Sequence, residues 1–200
     1  FELASRLADG RGVTRDLPSA AAWFAAAAEQ GLAPAQFRLG SIYENGLGVA
    51  PSRSLARDFY QRAAEQGHRE AMYNLATLFA DGIEGEPDYA MAAVWFRQAA
   101  DHGLADAQYN LAVLHMRGLG APRDFVRAYG WYAIAAEAGD GEAAIRRDGL
   151  ESRLSPDDLA KARRLAEAFV PLPLDPRANA VPEPPGGWVD LDETAAPQTG

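Results

Sequence analysis

The stretch Trp23–Gly31, WFAAAAEQG, joins an aromatic pair to a run of alanines, an acid and a glycine. Its outline returns as FYQRAAEQG at Phe59, WFRQAADHG at Trp95 and WYAIAAEAG at Trp131. The aromatic positions 23, 59, 95 and 131 step by 36 residues. Glycines 31, 67, 103 and 139 keep that step, as do glycines 10, 46, 82 and 118 and alanines 20, 56, 92 and 128. Alanines 35, 71, 107 and 143 and leucines 3, 39, 75 and 111 are in phase with them. Columns in phase at one period are the mark of a stacked repeat architecture.

Each unit reads as two helices. The second opens at Asp16, Ser52, Asp88 or Asp124, whose side-chain oxygens can accept from the orphan amides of a helix start. It ends at the acid-X-Gly, where glycine takes the left-handed conformation at little cost. The first helix of the next unit begins near Pro34, Glu70, Asp106 or Glu142, residues that suit a first helical turn. Loops carrying GRGV, GLGV, GIEG or GLGA join the two helices of a unit, and Glu84 stands in the second glycine column of the third loop. The alanines predict helix contacts at the short end of the usual range of about 8–10 Å. The aromatic column at 23, 59, 95 and 131 is expected to fill the space between helices.

The resulting fold class is all-α, an α/α solenoid of 36-residue helix pairs. Four units occupy residues 1–141, the first truncated because Phe1 aligns with Phe37. Residues 142–170 predict a capping pair, EAAIRRDGLESRL followed by SPDDLAKARRLAEAF, with Ser155 as N-cap and Pro156 at the first helical position. Residues 171–200 hold seven of the thirteen prolines and read as a linker or tail, with GGWVDLD as their one apolar segment.

Bulk composition narrows the function classes. The 200 residues are 48% hydrophobic and 24% charged, as expected of a folded chain with a sizeable core. A net charge of −9 argues against nucleic acid as a partner and against an anionic membrane surface. No run of apolar residues approaches a membrane span, so no direct membrane contact is expected of this chain. The absence of cysteine excludes disulfides, thiolate-bound zinc and a thiol nucleophile. The chain opens on Phe1 with no signal peptide, which reads as a piece of something longer.

Candidate chemistry is sparse. Glu29, Glu65, Asp101 and Glu137 come one per repeat, so neighbours are expected roughly 10 Å or more apart. A proton-sharing pair needs them within a few ångströms. The Gly-X-Gly loops follow no strand and lack the Lys-Ser/Thr of a phosphate loop. His68 and His102 flank the glycine column, and His115 replaces the aromatics of Tyr43 and Phe79. None has a second ligand at metal spacing, so no metal or cofactor is expected. Ser41 and the other serines have no His–acid partners, so no nucleophile is nominated.

AQFRLGSIYENGLGV and AQYNLAVLHMRGLGAPRDFVRAYGWYAIAAEAGD resemble the SEL-one-like repeat family, relatives of the tetratricopeptide repeats, over residues 1 to about 142. The resemblance implies an interaction scaffold whose first helices line an inner, concave face. The stripe beside their core columns is then the candidate partner-binding surface. It comprises Phe37, Arg38 and Ser41 with Asn45; Tyr73, Asn74 and Thr77 with Asp81; and Tyr109, Asn110 and Arg117 with Val113. A ladder of aromatics beside amides could grip an extended peptide, since Asn pairs with both N–H and C=O. The alternative for Asn74 and Asn110 is backbone binding within their own repeat.

The order of FELASRLADGRGV, the repeats, RRDGLESRLSPDDLAKARR and PLDPRANAVPEPPGGW is also similar to the polar-organelle-development localization factors of bacteria. That resemblance implies a periplasmic part of a single-span, membrane-anchored polarity scaffold, with a cytoplasmic location as the alternative. An independent periplasmic or secreted regulator, or a module binding or modifying cell-wall peptidoglycan, are the rival readings. The relatives linked to cell-wall chemistry carry a cysteine pair per repeat, and this chain has none.

Overall fold

The computed structural model describes residues 1–83 and 85–181. Eleven helices form in that range: α1 (Glu2–Asp9), α2 (Leu17–Glu29), α3 (Ala33–Asn45), α4 (Arg53–Glu65), α5 (Arg69–Asp81), α6 (Tyr89–Asp101), α7 (Ala105–Arg117), α8 (Phe125–Glu137), α9 (Gly141–Glu151), α10 (Pro156–Glu167) and α11 (Pro176–Asn179). From α1 to α9 consecutive helices pack on one another, which is the layout of a solenoid.

The joints repeat as closely as the helices. Asp16, Ser52, Asp88 and Asp124 each accept from the amide three residues on, at 3.2, 3.3, 3.0 and 2.9 Å. Their own amides donate to the carbonyls of Leu7, Tyr43, Phe79 and His115, which pins the start of each second helix to the end of the first. Second glycines are needed in these loops for a steric reason. A Cβ on Gly48 would lie 2.5 Å from the backbone carbon of Leu17, and one on Gly120 2.5 Å from the carbonyl oxygen of Tyr89. In the third loop, where Glu84 lies outside the described residues, Gly82 takes ψ 127° while Gly10, Gly46 and Gly118 stay left-handed with ψ between 25° and 41°. The change is confined to the loop, because α5 and α6 keep the 13-residue length of their counterparts.

Both alanine columns are buried, and so are Leu39, Leu75 and Leu111. The aromatic expectation needs correcting. Phe24, Tyr60, Phe96 and Tyr132, the second residue of each pair, fill the space between helices at no more than 3% exposure. Full burial of such a ring is worth about 1.5–3 kcal/mol. The first residues lie on the outside of the second helices: Trp23 is 52% exposed, Phe59 and Trp95 are half-buried, and only Trp131 is buried. Each inner ring also meets an aromatic from the first helix of its own repeat, always 23 positions earlier. The pairs are Phe1–Phe24, Phe37–Tyr60, Tyr73–Phe96 and Tyr109–Tyr132, with centroids 5.3–5.9 Å apart.

The C-terminal helices depart from the repeat. α10 packs chiefly on α8, where the pattern would pair it with α9. Gly130 on α8 leaves the room: a Cβ there would sit 3.4 Å from Leu165 Cβ and 3.5 Å from the carbonyl of Ala162. Beyond α10, residues 169–181 run back across the repeats, against chain order. The Phe169 ring meets Trp131 edge-on at 5.6 Å. Pro171 lies against Gly103, and the Leu172 amide donates to the Asp101 carbonyl at 2.8 Å. α11 then reaches the turn between α4 and α5, and Val181 shares a cleft with Pro34 and Phe37. GGWVDLD lies outside the described residues.

Candidate functional site

The stripe on the first helices is half structural. Phe37, Tyr73 and Tyr109 spend one ring face on the inner aromatics, and Phe37 also stacks on His68 at 4.5 Å. Asn110 Nδ2 donates to the Tyr73 hydroxyl at 3.4 Å, so it links two repeats through a side chain and not through backbone of its own. Asn74 and Ser41 lie beside the Tyr60 hydroxyl, which donates to Glu44 Oε2 at 2.7 Å. The Thr77 hydroxyl donates to the Tyr73 carbonyl at 3.1 Å, and Asn45 donates to the Ser41 carbonyl at 2.9 Å. Arg38 and Arg117 are exposed.

Three of the twelve stripe residues converge on one cleft. Tyr73 of α5 and Tyr109 and Asn110 of α7 line it together with Asp106, Asp140 and Glu142. None of the three acids lies on the stripe: Asp106 and Glu142 have the sequence signature of helix starts, and Asp140 has none. Asp140 caps α9 through the Ala143 amide at 3.0 Å, and Glu142 takes the Arg146 guanidinium at 2.8 Å. Burial, with the nearby Asp106 charge, raises the Tyr73 phenol above its ordinary value. Burial and the neighbouring Tyr109 push Tyr132 up to about 12. The Tyr73 and Tyr132 phenols therefore stay neutral donors at physiological pH. An open cleft of neutral hydroxyls, an amide and carboxylates suits a segment carrying N–H donors or a basic side chain.

Phe37 and Arg38 fall into a second cleft, with His68, Glu70, Asn179 and Val181. His68 caps α5, its Nδ1 accepting from the Ala71 amide at 3.3 Å. Burial holds the imidazole below its ordinary pKa, against the pull of the Glu70 charge. Burial also works against the Glu70 carboxylate, but the Arg69 hydrogen bond and neighbouring positive charge outweigh it and keep Glu70 below its usual range. Arg38 and Ser41 also border a cleft with Arg11 and Arg15, whereas Asn74, Thr77 and Arg117 line none of these clefts.

The acid column lies at the ends of the second helices, away from these clefts. Glu29 pairs with Arg62 of the next repeat at 3.4 Å, and Asp101 with Arg97 at 2.8 Å. Exposed pairs of this kind stabilise little. Among the described residues, no three His, Asp or Glu side chains are grouped to hold a metal ion, and no helix is long and apolar enough to cross a membrane.

The Sel1 repeat profile matches residues 1–32, 33–68, 69–104 and 105–140. The crystal structure of a Sel1 repeat protein from Oxalobacter formigenes is similar over 83% of this chain and 68% of its own, at 32% identity and a TM-score of 0.70. A second solved structure is c5321, a protective antigen of uropathogenic Escherichia coli strains displaying an SLR fold. It aligns over 84% of this chain and 52% of its own, at 26% identity and a TM-score of 0.41. No curated protein sequence matches the chain. Sel1 repeats generally serve as protein-interaction scaffolds. With four repeat matches spanning residues 1–140 and helix pairs in the same register, the chain belongs to the Sel1 repeat family.

Proposed function

We propose that this chain is a non-catalytic scaffold that holds an extended protein segment on the face of its first helices. The cleft of Tyr73, Asp106, Tyr109, Asn110, Asp140 and Glu142 carries the reading, because two successive repeats and the first capping helix contribute to one polar, acid-bearing surface. The partner segment offers a basic side chain to Asp106 and Asp140 and backbone groups to Asn110. The test is crosslinking capture from the native cell with the Asp106→Asn/Asn110→Ala chain beside the wild type. Asp106→Asn keeps the side-chain shape, and Asn110→Ala gives up the hydrogen bond to the Tyr73 hydroxyl without altering a ring. Loss of capture at unchanged helicity supports the cleft, and unchanged capture moves the binding surface elsewhere. Hydrolysis of muropeptides that survives repurification would overturn the non-catalytic reading, and capture of cell-wall glycan alone would replace a protein partner with peptidoglycan.

The finer reading is the periplasmic part of a membrane-anchored bacterial polarity factor. It is supported by the similarity of RRDGLESRLSPDDLAKARR and PLDPRANAVPEPPGGW to such factors. A fluorescent fusion of the parent protein in its own cell tests it: a polar focus is expected, and an even distribution would refute it.

A further inference from the structure

Residues 175–179 form a small, self-contained device. Asp175 Oδ1 accepts from the Arg177 amide at 2.9 Å, Pro176 occupies the first helical position, and one turn of helix closes with the Ala180 amide donating to the Pro176 carbonyl at 2.8 Å. That turn fixes Asn179, whose Nδ2 donates to the Asp175 carbonyl at 2.9 Å. The same Nδ2 donates to the Gly67 carbonyl at 2.9 Å, while Oδ1 accepts from the Arg69 amide at 2.9 Å. Arg69 is the first residue of α5, so its amide has no partner inside the helix. Ala178 is 4% exposed, and a Cβ on Gly67 would meet Ala178 Cβ at 3.9 Å. Each feature of the segment thus has a distinct task. Asp and Pro set the turn, a small residue fits against the glycine, and only an amide of this length both gives and takes a hydrogen bond across Gly67 and Arg69.

We propose that the turn joining α4 to α5 is a recognition site for peptides of the form Asp-Pro-X-Ala-Asn, which this chain fills with its own residues 175–179. The site is separate from the acid-bearing cleft, and its success or failure leaves that cleft's role untouched. It borders the cleft of Phe37, Arg38, His68 and Glu70, into which Val181 also reaches. A partner that engages Phe37 and Arg38 must therefore displace the chain's own segment or carry the same sequence. Tethering favours the internal copy, because a short flexible linker gives an effective concentration in the millimolar range.

The test uses the full chain, as wild type and as the Asp175→Ala/Asn179→Ala variant, titrated with a free peptide of residues 171–181 to about 10 mM, above the effective concentration of a tether. Backbone amide resonances of Gly67, His68 and Arg69 are followed, with those of α7 as a control for the fold. In the variant these three amides shift and saturate with peptide. In the wild type the apparent affinity is at least about tenfold weaker, because the internal copy competes. A peptide with Ala at the place of Asn179 leaves the amides unmoved in both chains. Absence of binding to the variant, equal binding to both chains, or equal binding of the Ala peptide would each overturn the proposal.

Discussion

Trp23 and Trp131 occupy one column of the repeat and meet opposite fates: the first is 52% exposed, the second 8%. Both are the seventh residue of a 13-residue second helix. The difference lies in what is laid over them. Trp131 has the Phe169 ring at 5.6 Å on one side, the Arg97 guanidinium 5.1 Å from its ring centroid, and Leu165 of α10 in the same cleft. Among the described residues nothing comparable is laid over Trp23. Leucines tell the same story on the first helices, with Leu3 45% exposed and Leu39 1%. A repeat column therefore encodes a position in the unit, and the neighbouring unit decides whether that position is core.

The comparison can be broken in a definite order. Trp131→Ala should lower stability by about 3–5 kcal/mol, as for other buried aromatics, read by urea unfolding; a loss near that of an exposed residue would mean that α10 and Phe169 do not cover it. Gly130→Leu should cost roughly 1–3 kcal/mol by overpacking the α8–α10 contact, read by the same urea unfolding. Ala92→Leu, in a column with no exposure, should cost a similar amount, about 1–3 kcal/mol; a neutral result would refute the close contact of α6 with its neighbours. Trp23→Ala should stay within about 0.5 kcal/mol, the range of ordinary surface changes. A loss as large as that of Trp131 would show that the column is core throughout.

The smallest effect concerns pH. The imidazoles of His68 and His115 are held below their ordinary value, chiefly by burial. The unfolded chain then binds more protons than the folded one as pH falls from the ordinary histidine range. Their contribution is complete above about pH 6.5 and is lost as pH drops through the lowered folded values. His68→Asn keeps a capping side chain and should flatten the thermal midpoint between pH 7 and pH 5. An unchanged slope would assign the titration elsewhere.

Much of the fold was legible in the sequence because the repeat states its own boundaries four times over. Asp16, Ser52, Asp88 and Asp124 announce the second helices, and glycines 31, 67, 103 and 139 end them with φ between 79° and 101°. Which aromatic of each pair faces inward was not legible, since adjacent positions of a helix differ by about 100° and both were aromatic. The path of residues 169–181 was hidden for another reason. Its contacts are single hydrogen bonds and small apolar touches between residues distant in sequence, such as Asn179 with Gly67, and leave no periodicity. The acid-bearing cleft was half visible: Tyr73, Tyr109 and Asn110 lie on the stripe, but Asp106 and Glu142 read only as helix-start residues and nothing in the repeat pattern marks Asp140.

The returning segment also measures length. Leu172 is fixed at the turn before α7, and Asn179 at the turn before α5, one repeat earlier. Seven residues reach at most about 25 Å, so the distance between these two anchors is set by covalent chain. A copy of residues 69–104 inserted between α6 and α7 would carry its own aromatic couple and joints, and would stack without a new kind of contact. The strap, however, would come up one turn short. The spacing between these two turns is thus written twice, once in the stack and once in the length of the segment that joins them.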